Sequence, residues 1–487
     1  MKRSLLLLLI ALFLLPPMPA RADVAPPAPP PGVNLAPGSE LTQVRMLSET
    51  VLIVVASNAP AGSLAQARVT ADFTMRNLGT QSESMAARFP LSADDGYGNY
   101  PEIRDVGVRV DGTAVSTRRT LGPELRIGHD QLVPWAEFDV TFPPGRDVRI
   151  RVTYTLEGYG EGPYVSFQYI LETGAGWNGT IGSADLAVRL PYAASAQNVL
   201  LGYGTGFAQT TPGAVISGNE VRWRLVDFEP SRADDTNYVS AVLVVPSFWL
   251  ALQSERENVA RDPNDSEAWG RLARAYKEIT LDSRRRGVRE DAGMPELYRL
   301  SLEAYERAVS LQPQDALWHA GFADLLGYHA LYGALAWLTG TRGGADAGRT
   351  LEQIQADAGR ALQEIRTAQA LAPEDPTVAE IAGTIQWFFP DADAWTGGPY
   401  TGSLAFYGPM VPSTVQPTPA TVAPTRAVAA PATVEPSQVE AAPTPEPQPA
   451  SSGGPLCGAV VAVLLPAAVV FVGRGRRLSE GVRRPRP

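Results

Sequence analysis

Chemistry needs acids, bases, nucleophiles or metal ligands at defined spacings, and few such sets occur in this chain. Histidine occurs three times, at His129, His319 and His329. None has a companion at the spacing of a zinc site, and the lone cysteine, Cys457, sits in an apolar run near the C-terminus. Serines and threonines are plentiful, yet no G-x-S-x-G elbow or S-x-x-K motif falls in a strand-to-helix setting. Asp94, Asp95 and Asn99 in "ADDGYGNY" could give oxygen ligands to calcium, although the spacing is not that of an EF-hand and a polar loop explains them equally. Arg274 and Lys277, with Glu267 earlier on the same helix face, could clamp the carboxylate of a bound peptide through charge-assisted hydrogen bonds. A solvated helix face would use the same residues. The expectation is therefore a binding protein, not an enzyme, with no cofactor and no metal.

Those cations lie in a helical region, 251–396. "DPNDSEAWGRLARAYKEI" puts Trp269, Leu272, Ala273 and Tyr276 on one stripe, and "ELYRLSLEAYERAVSLQP" does the same for Leu302, Tyr305, Ala308 and Leu311. Asp265 or Ser266 can cap the first helix, and prolines 263, 313 and 373 punctuate the pattern.

These features are similar to tetratricopeptide repeats (TPRs), units of about 34 residues with a Trp, Leu, small residue and Tyr in the first helix and an aromatic, Ala and Pro in the second. Trp269, Leu272, Ala273, Tyr276, Tyr305, Ala308 and Pro313 match that signature, and Ala361, Ile365, Ala368 and Pro373 repeat its closing half. The three prolines lie 50 and 60 residues apart, so each unit requires an insertion, placed at "DSRRRGVREDAGMP" and "TGTRGGADAG". His319 stands where the second unit's tryptophan belongs, with Trp318 one place early. The resemblance implies a groove for a protein or peptide. Its wall would carry Glu267, Gly270, Arg274 and Lys277, then Leu317, Ala320, Asp324 and Gly327. It also implies that Trp269, Tyr276, Tyr305 and Ala308 share one inter-helix core. A helix near 378–389, with Trp387, Phe388 and Phe389, would cap the array.

Residues 40–250 read as strands. "ARVTADFTMRN" alternates apolar and polar residues with a period of two, and similar runs recur between turn signals such as Asp111-Gly112 and Gly218-Asn219. The pattern predicts an antiparallel β-sandwich region of one or two subdomains. The stretches "RNLGTQSESMAARFPL", "WAEFDVTFPPGRDVRIRVTYTL", "YILETGAGWNGTIGSADLAVRLP" and "VRWRLVDFEP" resemble an exported bacterial β-rich domain family of unknown function. That resemblance implies a surface or periplasmic location and lends no catalytic residues. An alternative function is binding of cell-wall glycan or adhesion through this region, which would need Trp135, Trp177 or Tyr164 exposed on a sheet face.

The ends set the location. Residues 1–22 have the basic start, apolar run and Ala20-Arg21-Ala22 cleavage pattern of a signal peptide, and 23–39 form a proline-rich spacer. Residues 397–454 have the Pro/Thr/Ala composition of a disordered stalk, 455–473 an uncharged run long enough for a transmembrane helix, and 474–487 an arginine-rich tail expected to stay cytoplasmic. The small residues before that run also resemble a C-terminal sorting signal. "GFADLLGYHALYGALAWLTG" is apolar too, but Asp324 and His329 interrupt it and make it a buried repeat helix. A formal net charge of -10, about -18 once the basic signal and tail are set aside, disfavours nucleic acid or an anionic membrane surface as a partner. The expected whole is a single-pass cell-surface protein with extracytoplasmic domains.

Overall fold

A computed structural model describes residues 42–92, 102–123, 132–171, 177–202, 210–230, 238–285, 293–339 and 349–405, together with 32–33, 36, 174, 176 and 408–409. The signal peptide, the Asp94/Asp95/Asn99 loop, His129, the rest of the stalk, the transmembrane run and the basic tail lie outside these residues. Among the described residues no helix is long and apolar enough to cross a membrane.

The first part of the chain is built from strands: β1 (Gly32–Val33), β2 (Val44–Val55), β3 (Gln66–Asn77), β4 (Glu83–Pro90), β5 (Arg104–Val110), β6 (Thr113–Val115), β7 (Arg118–Pro123), β8 (Leu132–Phe142), β9 (Asp147–Glu157), β10 (Tyr164–Ile170), β11 (Ile181–Arg189), β12 (Val199–Leu200), β13 (Val215–Ser217), β14 (Glu220–Phe228) and β15 (Tyr238–Val244). They form an eight-stranded sheet ordered β13-β14-β11-β2-β3-β9-β5-β6, a three-stranded sheet β4-β8-β7 and a four-stranded sheet β1-β10-β15-β12. Pairing is antiparallel except between β2 and β11 and between β1 and β10.

The period of two is visible in the burial. On β3, Ala67, Val69, Ala71, Phe73 and Met75 are buried while the alternate residues, Arg68 to Arg76, face outward. β2 changes register between Met46 and Ser48, which resets its alternation so that Val51, Ile53 and Val55 remain inside. Gly182 of β11 lies against this irregularity, where a Cβ would strike the Leu47 carbonyl. The expected Asp111-Gly112 turn joins β5 to β6 with positive φ at both residues, as a two-residue hairpin loop needs.

The apolar faces of these sheets meet in one core that contains Phe73, Phe89, Phe138, Phe142, Tyr154, Phe167 and Trp223. Helix α1 (Pro246–Arg261) starts two residues after β15 and adds Trp249, Leu252 and Val259 to that core. Helix α2 (Ser266–Arg285) adds Leu272, Tyr276 and Ile279, and α3 (Met294–Leu311) adds Met294 and Leu297. The Tyr164 hydroxyl, on β10, donates to the Ile279 carbonyl at 3.1 Å, so strands and helices are also joined by a buried hydrogen bond.

Helices α4 (Ala316–Thr339), α5 (Leu351–Leu371) and α6 (Pro376–Phe388) complete, among the described residues, a mixed fold of β-sheets followed by six helices. A second core joins Ala304, Tyr305 and Ala308 of α3 to Phe322, Leu325 and Leu326 of α4, Ile354, Leu362 and Ile365 of α5 and Ile385 and Phe388 of α6. Between Trp318 and Ala330 helix α4 is buried on every side, as its apolar sequence requires.

Three of the helix junctions are copies of one turn. At 262–265, 312–315 and 372–375 the first residue's N–H bonds back to the preceding helix, at Asn258, Ala308 and Ala372's partner Ala368. A proline follows, and an aspartate's N–H then returns to the first residue's carbonyl at 3.1 to 3.2 Å. The aspartate side chain caps the next helix: Asp265 Oδ1 accepts from the Ala268 N–H, Asp315 Oδ1 from Leu317 and Trp318, and Asp375 Oδ1 from Thr377 and Val378.

Two expectations need correction. Residues 397–405 are not part of a disordered stalk: Tyr400 and Leu404 are buried beside Phe389, the Tyr400 N–H donates to the Gln355 carbonyl at 2.8 Å, and Ala405 donates to Phe388. Composition misled because a single aromatic in a Gly/Pro segment found a hydrophobic seat at the end of α6. Nor do Trp269, Tyr276, Tyr305 and Ala308 share one core. Tyr276 belongs to the sheet-side core and Tyr305 and Ala308 to the other, with Trp269 packed against both, because α2 is wedged between them.

Candidate interaction face on the helical array

Because the turns repeat, residues at equal distances after the three capping aspartates occupy equivalent helix positions on α2, α4 and α6. Two residues on stand Glu267, Leu317 and Thr377, all exposed. Twelve residues on stand Lys277, Gly327 and Trp387. The three helices lie side by side, and small residues make this possible: a Cβ on Gly270 would collide with the Trp318 ring, and one on Gly327 with the Ile385 side chain. Tyr328 and Phe388 meet edge to face at 4.8 Å across the second of these contacts.

Lys277 is a rung of that ladder. Its ammonium is 2.7 Å from Asp324 Oδ2 on α4, with side chains only 12% and 17% exposed. Burial, the largest single effect, would lower its pKa; the Asp324 charge, its hydrogen bond and the neighbouring Tyr305 and Glu278 together hold it above the ordinary lysine range. Arg274 turns the other way, to the mouth of a cleft of about 310 Å³ between α1 and α2 that Phe248, Leu252, Glu255, Arg271 and Glu278 also line. In that cleft Arg271 grips Glu255 with two hydrogen bonds of 2.8 and 3.2 Å, which lower the Glu255 pKa against the opposing effect of burial. Arg274 and Lys277 thus do not converge into a clamp. Glu267 is exposed at the start of α2.

The other signature residues are placed as follows. The Trp269 indole donates to the Pro263 carbonyl at 3.0 Å, bracing the first turn from its own helix. Leu272 and Ala273 are buried on opposite sides of α2, and Ala308 and Ala368 accept the backbone bonds that precede Pro313 and Pro373. Leu317, expected in the groove wall, is 47% exposed, whereas the cap expected from Trp387, Phe388 and Phe389 needs correction: Phe388 and Phe389 are buried and Trp387 is 43% exposed. Twelve residues after Asp375, Trp387 matches Lys277 and Gly327, which the next helix of the ladder covers at Asp324 and Ile385; it stands on the last helix of the array and lacks that cover.

The two described histidines both bind α4 to α5. His329 Nδ1 lies 2.9 Å from Asp357, which Arg349 also holds, and its ring stacks on Tyr298. His319 Nδ1 lies 2.6 Å from Glu364 and its Nε2 3.1 Å from the Pro313 carbonyl. Both ring nitrogens face acceptors, so the imidazolium, with two donors, fits best. The hydrogen bond to Glu364 accordingly raises its pKa against the effect of burial. Among the described residues no three potential ligands are grouped for a metal ion.

The aromatics considered for a glycan platform are inside the molecule. Trp135, Trp177 and Tyr164 are 3%, 5% and 0% exposed, so none can stack on a sugar from solution.

No protein-family model matches the chain, and no curated protein does. Among solved structures, the chain is similar to a candidate nutrient-binding protein of Legionella pneumophila at 19% identity and a TM-score of 0.38, over 57% of this chain and 84% of that one. It is also similar to a two-domain M1 zinc metallopeptidase at 10% identity and a TM-score of 0.22, over 41% of this chain and 43% of that one. Scores this low carry no argument about fold or function.

Proposed function

We propose that this chain is a membrane-anchored, extracytoplasmic interaction or scaffold protein that holds a protein or peptide partner against a degenerate TPR-like array. In this reading the strand region is a β-sandwich, the signal peptide is removed, the segment after residue 409 is the stalk, and residues 455–473 anchor the chain with the arginine-rich tail inside. The observation that carries it is the thrice-repeated Pro-x-Asp turn, which lays α2, α4 and α6 side by side with Leu317 and Trp387 in solvent. Apolar side chains exposed on an array that otherwise buries its aromatics suit a partner's apolar anchors. The likeness to TPRs rests on these turns and on the Gly270 and Gly327 contacts; the division of the signature stripe between two cores counts against it.

The test uses the full chain in native envelopes. Cross-linking followed by capture of wild type, Leu317→Glu and Trp387→Glu should recover a protein that both variants lose while their circular dichroism stays unchanged. Retention of every captured protein by both variants would sink the face as the binding site. Removal of the chain from Pro455 onward should release the protein from membranes, and continued membrane association would refute the anchor.

A further inference from the structure

The outward face of the eight-stranded sheet carries a second, differently built surface. Strand register aligns Arg222, Ala187, Leu52, Thr70, Thr153 and Gly107 in a row across β14, β11, β2, β3, β9 and β5. At strand spacings of about 4.8 Å, this lane, charged only at Arg222, runs for roughly 24 Å. Charged rows flank it. One holds Arg224, Asp185, Asp72, Arg151 and Arg109, the other Glu220, Arg189 and Arg68, two residues away along the same strands.

Counted with Arg222 and with Arg104, Asp105 and Glu157 at the β5 end, the surface has seven arginines against five carboxylates, a local positive excess on a chain of net charge -10. At the β14 end the lane deepens into a cleft of about 510 Å³ where Arg189, Arg222 and Arg224 rise around the small floor of Leu52 and Ala187. The buried Glu220 accepts from Arg189 Nε at 2.7 Å and Arg222 Nε at 2.6 Å. It orients both guanidinium groups, whose remaining N–H donors stay available. Arg224 is held loosely, 3.8 Å from Asp185, while Arg68 and Arg109 donate to the neutral oxygens of Thr155 and Gly112.

The geometry points to a binding track for a linear phosphate-bearing polymer, with one phosphate seated among Arg189, Arg222 and Arg224 and the chain running along the lane toward Arg68 and Arg109. A phosphate has acceptors enough to bridge Arg222 and Arg224, which stand on alternate residues roughly 6.8 Å apart. A polypeptide suits the lane poorly. β11, β2, β3 and β9 are paired on both sides, so they leave few backbone partners for its amides. A polymer whose polar groups are anionic oxygens needs none.

Calorimetric titration of the full chain at low ionic strength tests this, with inorganic pyrophosphate, a longer polyphosphate and poly-L-glutamate of matched charge as probes. Polyphosphate should bind more tightly than pyrophosphate and than poly-L-glutamate. Arg222→Gln/Arg224→Gln should weaken both phosphate probes by about tenfold or more. Arg68→Gln/Arg109→Gln should weaken polyphosphate and leave pyrophosphate unchanged. These side chains are exposed, and circular dichroism checks that the variants remain folded. No binding of either phosphate probe, equal binding by all variants, or a preference for poly-L-glutamate would each overturn the assignment. None of these variants alters Leu317 or Trp387, so the result is separate from that of partner capture.

Discussion

Lys277 and Asp324 face each other from neighbouring helices and close a buried ion pair of 2.7 Å between α2 and α4. Two charges taken out of water in this way hold each other only while both are present.

Replacing either residue by Ala should therefore destabilise the protein by about 3 kcal/mol, since the survivor is left charged and dry. Lys277→Met with Asp324→Leu should recover most of that loss. Urea unfolding of the four proteins checks it, and a double variant no more stable than the singles would show that the pair is not the source.

His319 predicts a pH dependence. Its pKa is raised in the folded chain, so its contribution is complete below the unfolded value of about 6.5 and fades as the pH rises through the folded value. Wild type should lose stability between pH 6 and the alkaline side of neutrality, roughly over that window, and His319→Gln should flatten the slope. A melting temperature equally pH-dependent in the variant would contradict the assignment.

The capping aspartates should behave alike. Asp315→Ala and Asp375→Ala should each cost about 1 kcal/mol, and the two together about twice that, because the two caps share no hydrogen-bond partner. Hydrogen exchange should speed up first at Leu317 and Trp318 in one variant and at Thr377 and Val378 in the other. Unchanged exchange there would mean that the caps are dispensable.

Tyr400 tests the revised start of the stalk. Tyr400→Ala empties a buried aromatic site next to Phe389 and should cost about 3 kcal/mol. A residue in a disordered linker would cost nothing.

Where sequence reading succeeded and failed follows from how local each cause is. The alternation on β3, the Asp111-Gly112 turn and the proline stops are set by neighbours within a few residues, and all are present as read. Lys277 was legible as a cation on a helix, but its use was decided by Asp324, forty-seven positions away. Likewise the burial of Trp135, Trp177 and Tyr164 depends on how sheets meet, and strand periodicity says nothing of that for a residue near a strand's end. The arginine rows on the large sheet needed the register of six strands before they could be seen at all.

One residue, Val245, separates the last strand from the first helix, and a continuous apolar core crosses that junction into α1, α2 and α3. Inheritance of the helices as a transferable cassette is therefore blocked at the point where the secondary structure changes. A gene fusion that cut there would leave Trp249, Leu252 and Tyr276 facing water. A cut after α3 would in turn part Tyr305 from Phe322 in the second core, so recombination among related genes should keep strands and helices together and follow packing in preference to the border between strand and helix.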